Sequence, residues 1–91
     1  MRGRIRIQEV LSFLGVERSG VIESLRAEGL FEADELALEE AEELRVATAL
    51  MEDLGVNAAG VEVVLRMRRR LLVLEGLTSE ALHRALEKGE R

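Results

Sequence analysis

The sequence lacks cysteine, proline, tryptophan and tyrosine, and its only phenylalanines are Phe13 and Phe31. Without cysteine there can be no disulfide framework and no thiolate metal site, which fits a reducing compartment. Without proline, and with an apolar share that comes mainly from leucine, valine and alanine, the composition favours helices. We therefore expect an all-α protein.

Long apolar runs are also missing. No stretch approaches the roughly 20 residues that a bilayer span requires, and the basic opening "MRGRIRIQEV" leads into none. We therefore expect a cytoplasmic protein that does not engage a membrane. At 91 residues the chain predicts a single domain over 1–91 with a modest core, which argues against an enzyme with a deep pocket.

Amides and lysine are scarce among the polar residues. The chain has twelve arginines to one lysine and sixteen glutamates to two aspartates, with Gln8 and Asn57 as its only amides. This skew is compatible with a heat-adapted, GC-rich source, because heat-adapted proteins have many ionic networks and few thermolabile amides.

Apolar residues at helical spacing, with glycine at the ends, predict the secondary structure. The segment Arg4 to Ile7 alternates like a short strand or an extended lead-in, too short to need a sheet. Asn57 is placed to cap the fourth helix, while Gly76 and Thr78 separate it from a fifth. The result is a small bundle of four to five helices, at about 7–14, 19–28, 39–54, 58–75 and 79–88.

Four arginines lie within five positions of the fourth helix, in the segment "RMRRR". Arg66, Arg69 and Arg70 share one face with Glu62, and Glu62 and Arg66 form a favourable i, i+4 pair, so these arginines are explained as a solvated face. Arg68 instead projects into a wide apolar arc, where it must extend to solvent, pair with a carboxylate such as Glu75, or lie at an interface. One part of the arc can face the core and another a fifth helix or a second copy of the chain. The possible interface residues are Arg68, Met67, Leu71 and Leu74.

The strongest electrostatic feature is negative, although arginine clusters draw attention first. Residues 1–31 carry a charge of +1, residues 32–62 carry −9, and residues 63–91 carry +3, which sum to the net −5. A binder of duplex nucleic acid neutralises phosphates with basic side chains, so this block disfavours nucleic acid and suits a basic protein partner. A solvated helix start, stabilised by the helix dipole, explains the acids equally well. The predicted acidic patch consists of Glu32, Asp34, Glu35, Glu39, Glu40, Glu42 and Glu43.

Signs of catalysis or of ligand binding are weak. His83 has no cysteine or second histidine near it, so no metal site is expected. Glu39 and Glu43 lie one helical turn apart like a carboxylate dyad, but no nucleophile or partner base accompanies them. The turn "GVNAAG" is too short to cradle a phosphate. We expect no enzyme activity, no cofactor and no small-molecule substrate.

The order of elements resembles the helix-turn-helix of MerR-type proteins, and in particular their chaperone-modulator (CbpM-like) branch, over about Ile5 to Glu75. "IRIQEVLSFLGV" is similar to the opening strand and first helix, and "VIESLRAEGLF" to the second helix with its Gly-Leu exit. "EEAEELRVATALMEDLGVNAAGVEVVL" takes the place of the next two helices, and "GVEVVLRMRRRLLVLE" is close to the pattern of the modulators. The resemblance implies a small helix-turn-helix bundle with a degenerate wing.

The chain departs from the DNA-binding members of that family at two places. Those proteins have an arginine and paired tyrosines in the second helix and a basic wing after it, whereas this chain has "SGVIESLRAEG" and the acidic "EADE". Chaperone modulators bind the J-domain of DnaJ-like cochaperones, and a relative encoded with heat-shock chaperones of thermophiles assembles DnaK with DnaJ. The resemblance therefore implies an adaptor for a J-domain protein, in a possible ternary complex with DnaK. The alternative is a DNA-binding regulator with a reduced wing that uses Arg2, Arg4, Arg6, Arg18 and Arg26.

Overall fold

The computed structural model describes residues 3–89 and is mainly α-helical, with four helices and one small sheet in that range. The elements follow the order β1, α1, α2, β2, α3, α4 along the chain. Their bounds are Ile5–Arg6 (β1), Ile7–Leu14 (α1), Val21–Ala27 (α2), Glu35–Leu36 (β2), Leu38–Leu54 (α3) and Ala58–Gly89 (α4).

The two strands pair antiparallel, with Ile5 opposite Leu36 and Arg6 opposite Glu35. The amide of Ile7 extends this pairing by donating to the carbonyl of Asp34 at 2.8 Å. The expectation that the first segment needs no sheet is therefore wrong. Its partner is β2, a two-residue strand that no alternating pattern in the sequence predicts. Leu36 of β2 is buried, which holds the strand pair against the core.

The first two helices follow the predicted pattern closely. α1 has the predicted bounds, buries Ile7 and Leu11, and ends at Gly15, whose φ of 74° is the left-handed conformation that glycine adopts at low cost. α2 is shorter than the predicted 19–28, because Gly20 is itself left-handed and delays the helix to Val21. Across the short turn between them, α1 packs against α3 and α2 packs against α4.

Glutamate and asparagine side chains cap the next two helices. α3 begins at Leu38, one residue before the predicted start, and Glu40 accepts a hydrogen bond from the amide of Ala37 at 2.8 Å. Asn57 accepts one from the amide of Gly60 at 2.8 Å, which confirms the predicted cap of α4. Both caps satisfy amides that have no partner within the helix.

The predicted division between a fourth helix at 58–75 and a fifth at 79–88 is wrong. α4 runs unbroken for 32 residues through Gly76 and Thr78. Gly76 is not among the glycines with positive φ, and a mid-helix glycine costs only about 1 kcal/mol relative to alanine. Good helix formers surround it, and no packed neighbour bends the chain at this point, so the helix continues.

The core belongs almost entirely to the first 65 residues. It consists of Ile7, Leu11, Val16, Val21, Ile22, Leu25, Leu36, Leu44, Ala47, Val61 and Leu65. Beyond it, every residue from Arg69 to Lys88 is exposed. The radius of gyration is 16.8 Å, where a compact domain of this length has about 12 Å. α4 therefore projects from a small globular body.

Candidate protein-binding surfaces

The seven predicted carboxylates of the acidic patch lie together on the α2–β2 connector, on β2 and on the first two turns of α3. Arginines from α3 itself and from three other parts of the chain, namely the segment before β1, α2 and α4, reach four of them. These arginines are Arg4, Arg26, Arg45, Arg68 and Arg69. Part of the charge of −9 counted over residues 32–62 is thus balanced by arginines from outside that segment, which a count by segment does not reveal.

Arg26 holds the connector in place. Its Nε donates to the carbonyl of Phe31 at 2.8 Å, and one terminal nitrogen donates to the carbonyl of Ala33 at 3.2 Å and lies 3.5 Å from Asp34. Phe31 has a φ of 55°, which is rare and costly for a bulky residue. The arginine therefore stabilises a strained turn rather than extending towards solvent.

Glu43 anchors α3 to α4. Both of its carboxylate oxygens accept from Arg69, at 2.6 and 2.8 Å, and its side chain is only 13% exposed. This pairing raises the pKa of Arg69. A bidentate, partly buried pair of this kind joins two elements, so Glu43 serves the fold first.

Glu42 and Glu40 are also engaged. Glu42 pairs with Arg45 one turn along α3, and Arg68 of α4 lies 3.9 Å from it. The hydrogen bond from Arg45 lowers the pKa of Glu42. Glu40 caps α3 and lies 4.0 Å from Arg4.

Three carboxylates of the patch remain without an ion pair among residues 3–89. Glu32, Glu35 and Glu39 are all exposed and belong to the connector, β2 and the first turn of α3. These three residues are the part of the acidic patch that can meet a partner without breaking a contact of the fold.

The outward face of α2 is acidic. Glu23 is exposed on α2 and Glu28 at its C-terminal cap, while Arg26, the only basic residue of α2, turns to the connector. In a helix-turn-helix that reads DNA, the second helix enters the major groove with donors and basic side chains. This face offers carboxylates instead.

The arginines of the DNA-binding alternative do not converge on one free surface. Arg4 lies near Glu40 and Arg6 lies 3.8 Å from Glu9, while Arg26 is held by the connector. Arg18, in the turn between α1 and α2, makes no ion pair within the described part of the chain. Arg2 lies outside the described residues.

The possible interface residues do converge. The exposed side chains of Met67, Leu71 and Leu74 form an apolar row on α4 with the half-buried Val64, and we call this row the α4 stripe. Arg68 and Arg70 border it, and the groove along this side measures about 630 Å³. Arg68 is partly covered, and its carboxylate neighbour is Glu42, where the sequence suggested Glu75.

The polar face of α4 differs from its prediction in one respect. Arg66 pairs with Glu62 at 2.6 Å, which confirms the predicted i, i+4 contact. Arg69, interpreted as part of a solvated face, instead binds Glu43 across the α3–α4 contact. Helical periodicity places a side chain on a face, but it does not say which neighbouring helix that face meets.

The other predicted features lie apart from these surfaces. His83 is exposed on the projecting part of α4, with its Nε2 3.0 Å from Glu87. Residues 3–89 contain no group of three side chains arranged to hold a metal ion. Glu43, one half of the dyad considered from the sequence, is occupied by Arg69.

Comparison with known proteins gives no relative for this chain: no family model, no curated protein and no solved structure matches it. Within residues 3–89, none of the helices is both long and apolar enough to cross a bilayer. Charge and geometry at the surface are therefore the basis for a functional proposal.

Proposed function

We propose that this protein is a non-enzymatic adaptor that binds another protein through its acidic patch, on a scaffold similar to the MerR-type helix-turn-helix. The observation that carries the proposal is the outward face of α2. That face presents Glu23, with Glu28 exposed at the C-terminal cap, while Arg26 is bound to the connector that follows α2. Such a face would repel the phosphates of a duplex and offers no basic side chain to the base edges.

The partner class is a protein with a basic surface, and the J-domain of a DnaJ-like cochaperone is our specific choice. The sequence resemblance to chaperone modulators supports it, and so does the exposure of Glu32, Glu35 and Glu39, because complementary charge speeds association and selects among partners. The complex that we propose with DnaK is ternary and consists of this protein, the J-domain protein and DnaK.

The first test measures binding of the purified J-domain by titration calorimetry and binding of duplex DNA by gel shift. We expect micromolar or tighter binding of the J-domain and none of DNA. The triple variant Glu32→Lys, Glu35→Lys, Glu39→Lys should lose most of the affinity for the J-domain. In the wild type these three carboxylates face solvent and make no ion pair within residues 3–89, so they are free to attract a basic partner.

A matched control changes the same charge elsewhere. The variant Glu17→Lys, Glu52→Lys, Asp53→Lys alters three exposed carboxylates outside the patch. It should bind the J-domain within about twofold of the wild type. Equal losses of J-domain affinity in the two variants would show that net charge alone governs binding. Binding of duplex DNA without binding of the J-domain would contradict the proposed adaptor function.

The second part of the proposal concerns the α4 stripe, for which we propose a second copy of the chain as the occupant. The stripe continues at three- and four-residue spacing through Thr78, Ala81 and Ala85, as in a coiled coil. Its large half, from Val64 to Leu74, and its small half, from Thr78 to Ala85, would face each other if two copies of α4 ran antiparallel. Such pairing would cover apolar side chains that one copy leaves in water.

A further inference from the structure

A second apolar surface lies between α1 and α3. Val10, Phe13 and Leu14 of α1 and Leu38 and Ala41 of α3 line a shallow groove of about 340 Å³. Phe13 is 87% exposed and Leu38 is 63% exposed. Exposed aromatic side chains beside an apolar groove are typical anchors of protein interfaces.

The walls of this groove are already fixed in the folded chain. α1 and α3 pack against each other through Ile7, Leu11 and Leu44, all of which are buried. Glu42 and Arg45, on the α3 side of the groove, hold each other in an ion pair. A partner that enters the groove therefore meets a preformed surface, and little ordering of this chain opposes binding.

Acidic side chains at and beside the groove outnumber basic ones: Glu9, Glu42 and Arg45 line it, and Arg6 lies 3.8 Å from Glu9. Leu38 lies next to Glu39 and three residues after Glu35, two carboxylates without an ion pair among the described residues. Leu38, part of the apolar lining, thus lies at the start of α3, beside the segment that carries these two carboxylates. A helix with an apolar ridge flanked by lysine or arginine would match both features.

We propose that this groove, with Phe13 as its anchor, is where a basic amphipathic helix of the J-domain partner docks. The assignment rests on the adaptor function proposed above and names the surface that performs it. The α4 stripe suits such a helix less well, because Arg70, which makes no ion pair within residues 3–89, borders it and would repel basic side chains.

The test compares Phe13→Ala and Leu38→Ala with Leu54→Ala in titrations of the full chain with the J-domain. Leu54 is 71% exposed at the end of α3 and lies outside the groove, so it is a matched control. We expect each groove variant to weaken binding about 10- to 30-fold and the control to change it less than about twofold. Circular dichroism melts verify that all three variants fold.

Amide chemical-shift changes in the wild-type protein provide a measurement that needs no variant. Addition of the J-domain should shift resonances of α1 and the start of α3 and leave those of the α4 stripe in place. If the wild type binds but the groove variants match Leu54→Ala, or if the shifts lie on α4, the docking assignment is overturned and the adaptor function stands. If the wild type does not bind the J-domain, both are overturned.

Discussion

At the scale of single residues, two arginines that the sequence alone leaves available to a partner make contacts that hold the fold together. Arg26 satisfies two carbonyls of a strained turn, and Arg69 joins two helices through both oxygens of Glu43. The planar guanidinium can make such paired contacts, which the ammonium group of lysine cannot reproduce. The preference for arginine over lysine in this chain thus has a local structural reason at these positions.

We predict that Arg26→Met lowers the free energy of unfolding by about 1–2 kcal/mol, because charge-assisted hydrogen bonds to the connector are lost while the aliphatic stem is kept. Urea denaturation followed by circular dichroism measures the change. Arg18→Met is the control, since Arg18 is exposed and makes no ion pair within residues 3–89, and it should shift stability by less than about 0.5 kcal/mol. Equal effects of the two substitutions would contradict a bracing role for Arg26.

At the scale of elements, α4 is the least expected feature. A helix of 32 residues spans about 48 Å, and only its first part packs against the body. Gly76 lies in the projecting part, and a Cβ added there would meet no heavy atom within 4 Å. Continuity of α4 through this glycine can therefore be tested without steric side effects.

Gly76→Ala should increase helix content and stabilise the projecting part by about 0.5–1 kcal/mol, because alanine costs less backbone entropy in a helix. Far-ultraviolet circular dichroism during thermal unfolding measures both effects. Gly55→Ala should do the opposite, since Gly55 has a φ of 71°. A loss of helix content in Gly76→Ala would restore the division into two helices.

Self-association through the α4 stripe makes a separate prediction. Leu71→Glu places a charge in the middle of the row and should convert a dimer to a monomer in size-exclusion chromatography with light scattering. Val73→Glu is the matched control, because Val73 is similarly exposed on α4 but does not line the stripe. Dissociation by both variants, or by neither, would exclude the stripe as the contact between copies.

At the scale of the whole molecule, the chain divides into a globular body and a projecting helix. The extents of 58 × 32 × 21 Å reflect this shape. The body carries the acidic patch and the groove beside Phe13, and the projecting helix carries the stripe. The two partners that we propose, a basic protein and a second copy, would therefore not compete for one surface.

The affinity for the J-domain should fall about tenfold between 50 and 500 mM NaCl, because only exposed and unpaired carboxylates contribute long-range attraction and salt screens them. Calorimetric titrations at several salt concentrations measure the slope. The variant with Glu32, Glu35 and Glu39 changed to lysine should no longer show this weakening with salt. An affinity of the wild type that does not change with salt would assign binding to apolar contacts alone.

The local elements were largely predictable from the sequence, since apolar spacing and glycine ends are properties of neighbouring residues. The bounds of α1, the Asn57 cap and the contact between Glu62 and Arg66 all follow from residues within one or two turns. The row formed by Met67, Leu71 and Leu74 follows from the same periodicity. The predicted helix break at Gly76 is wrong, because Gly76 does not adopt the left-handed conformation with which glycine ends a helix.

The sequence by itself determined a helical chain with an acidic middle and an apolar face on its fourth helix, because composition and periodicity depend only on the order of residues along the chain. Only the tertiary structure decided which charges remain available. Arg4, Arg68 and Arg69 come to the acidic patch from positions 24 or more residues away, and distances between such residues depend on how the helices pack. The β1–β2 pairing and the groove at Phe13 arise in the same way, from contacts between segments that no local pattern encodes.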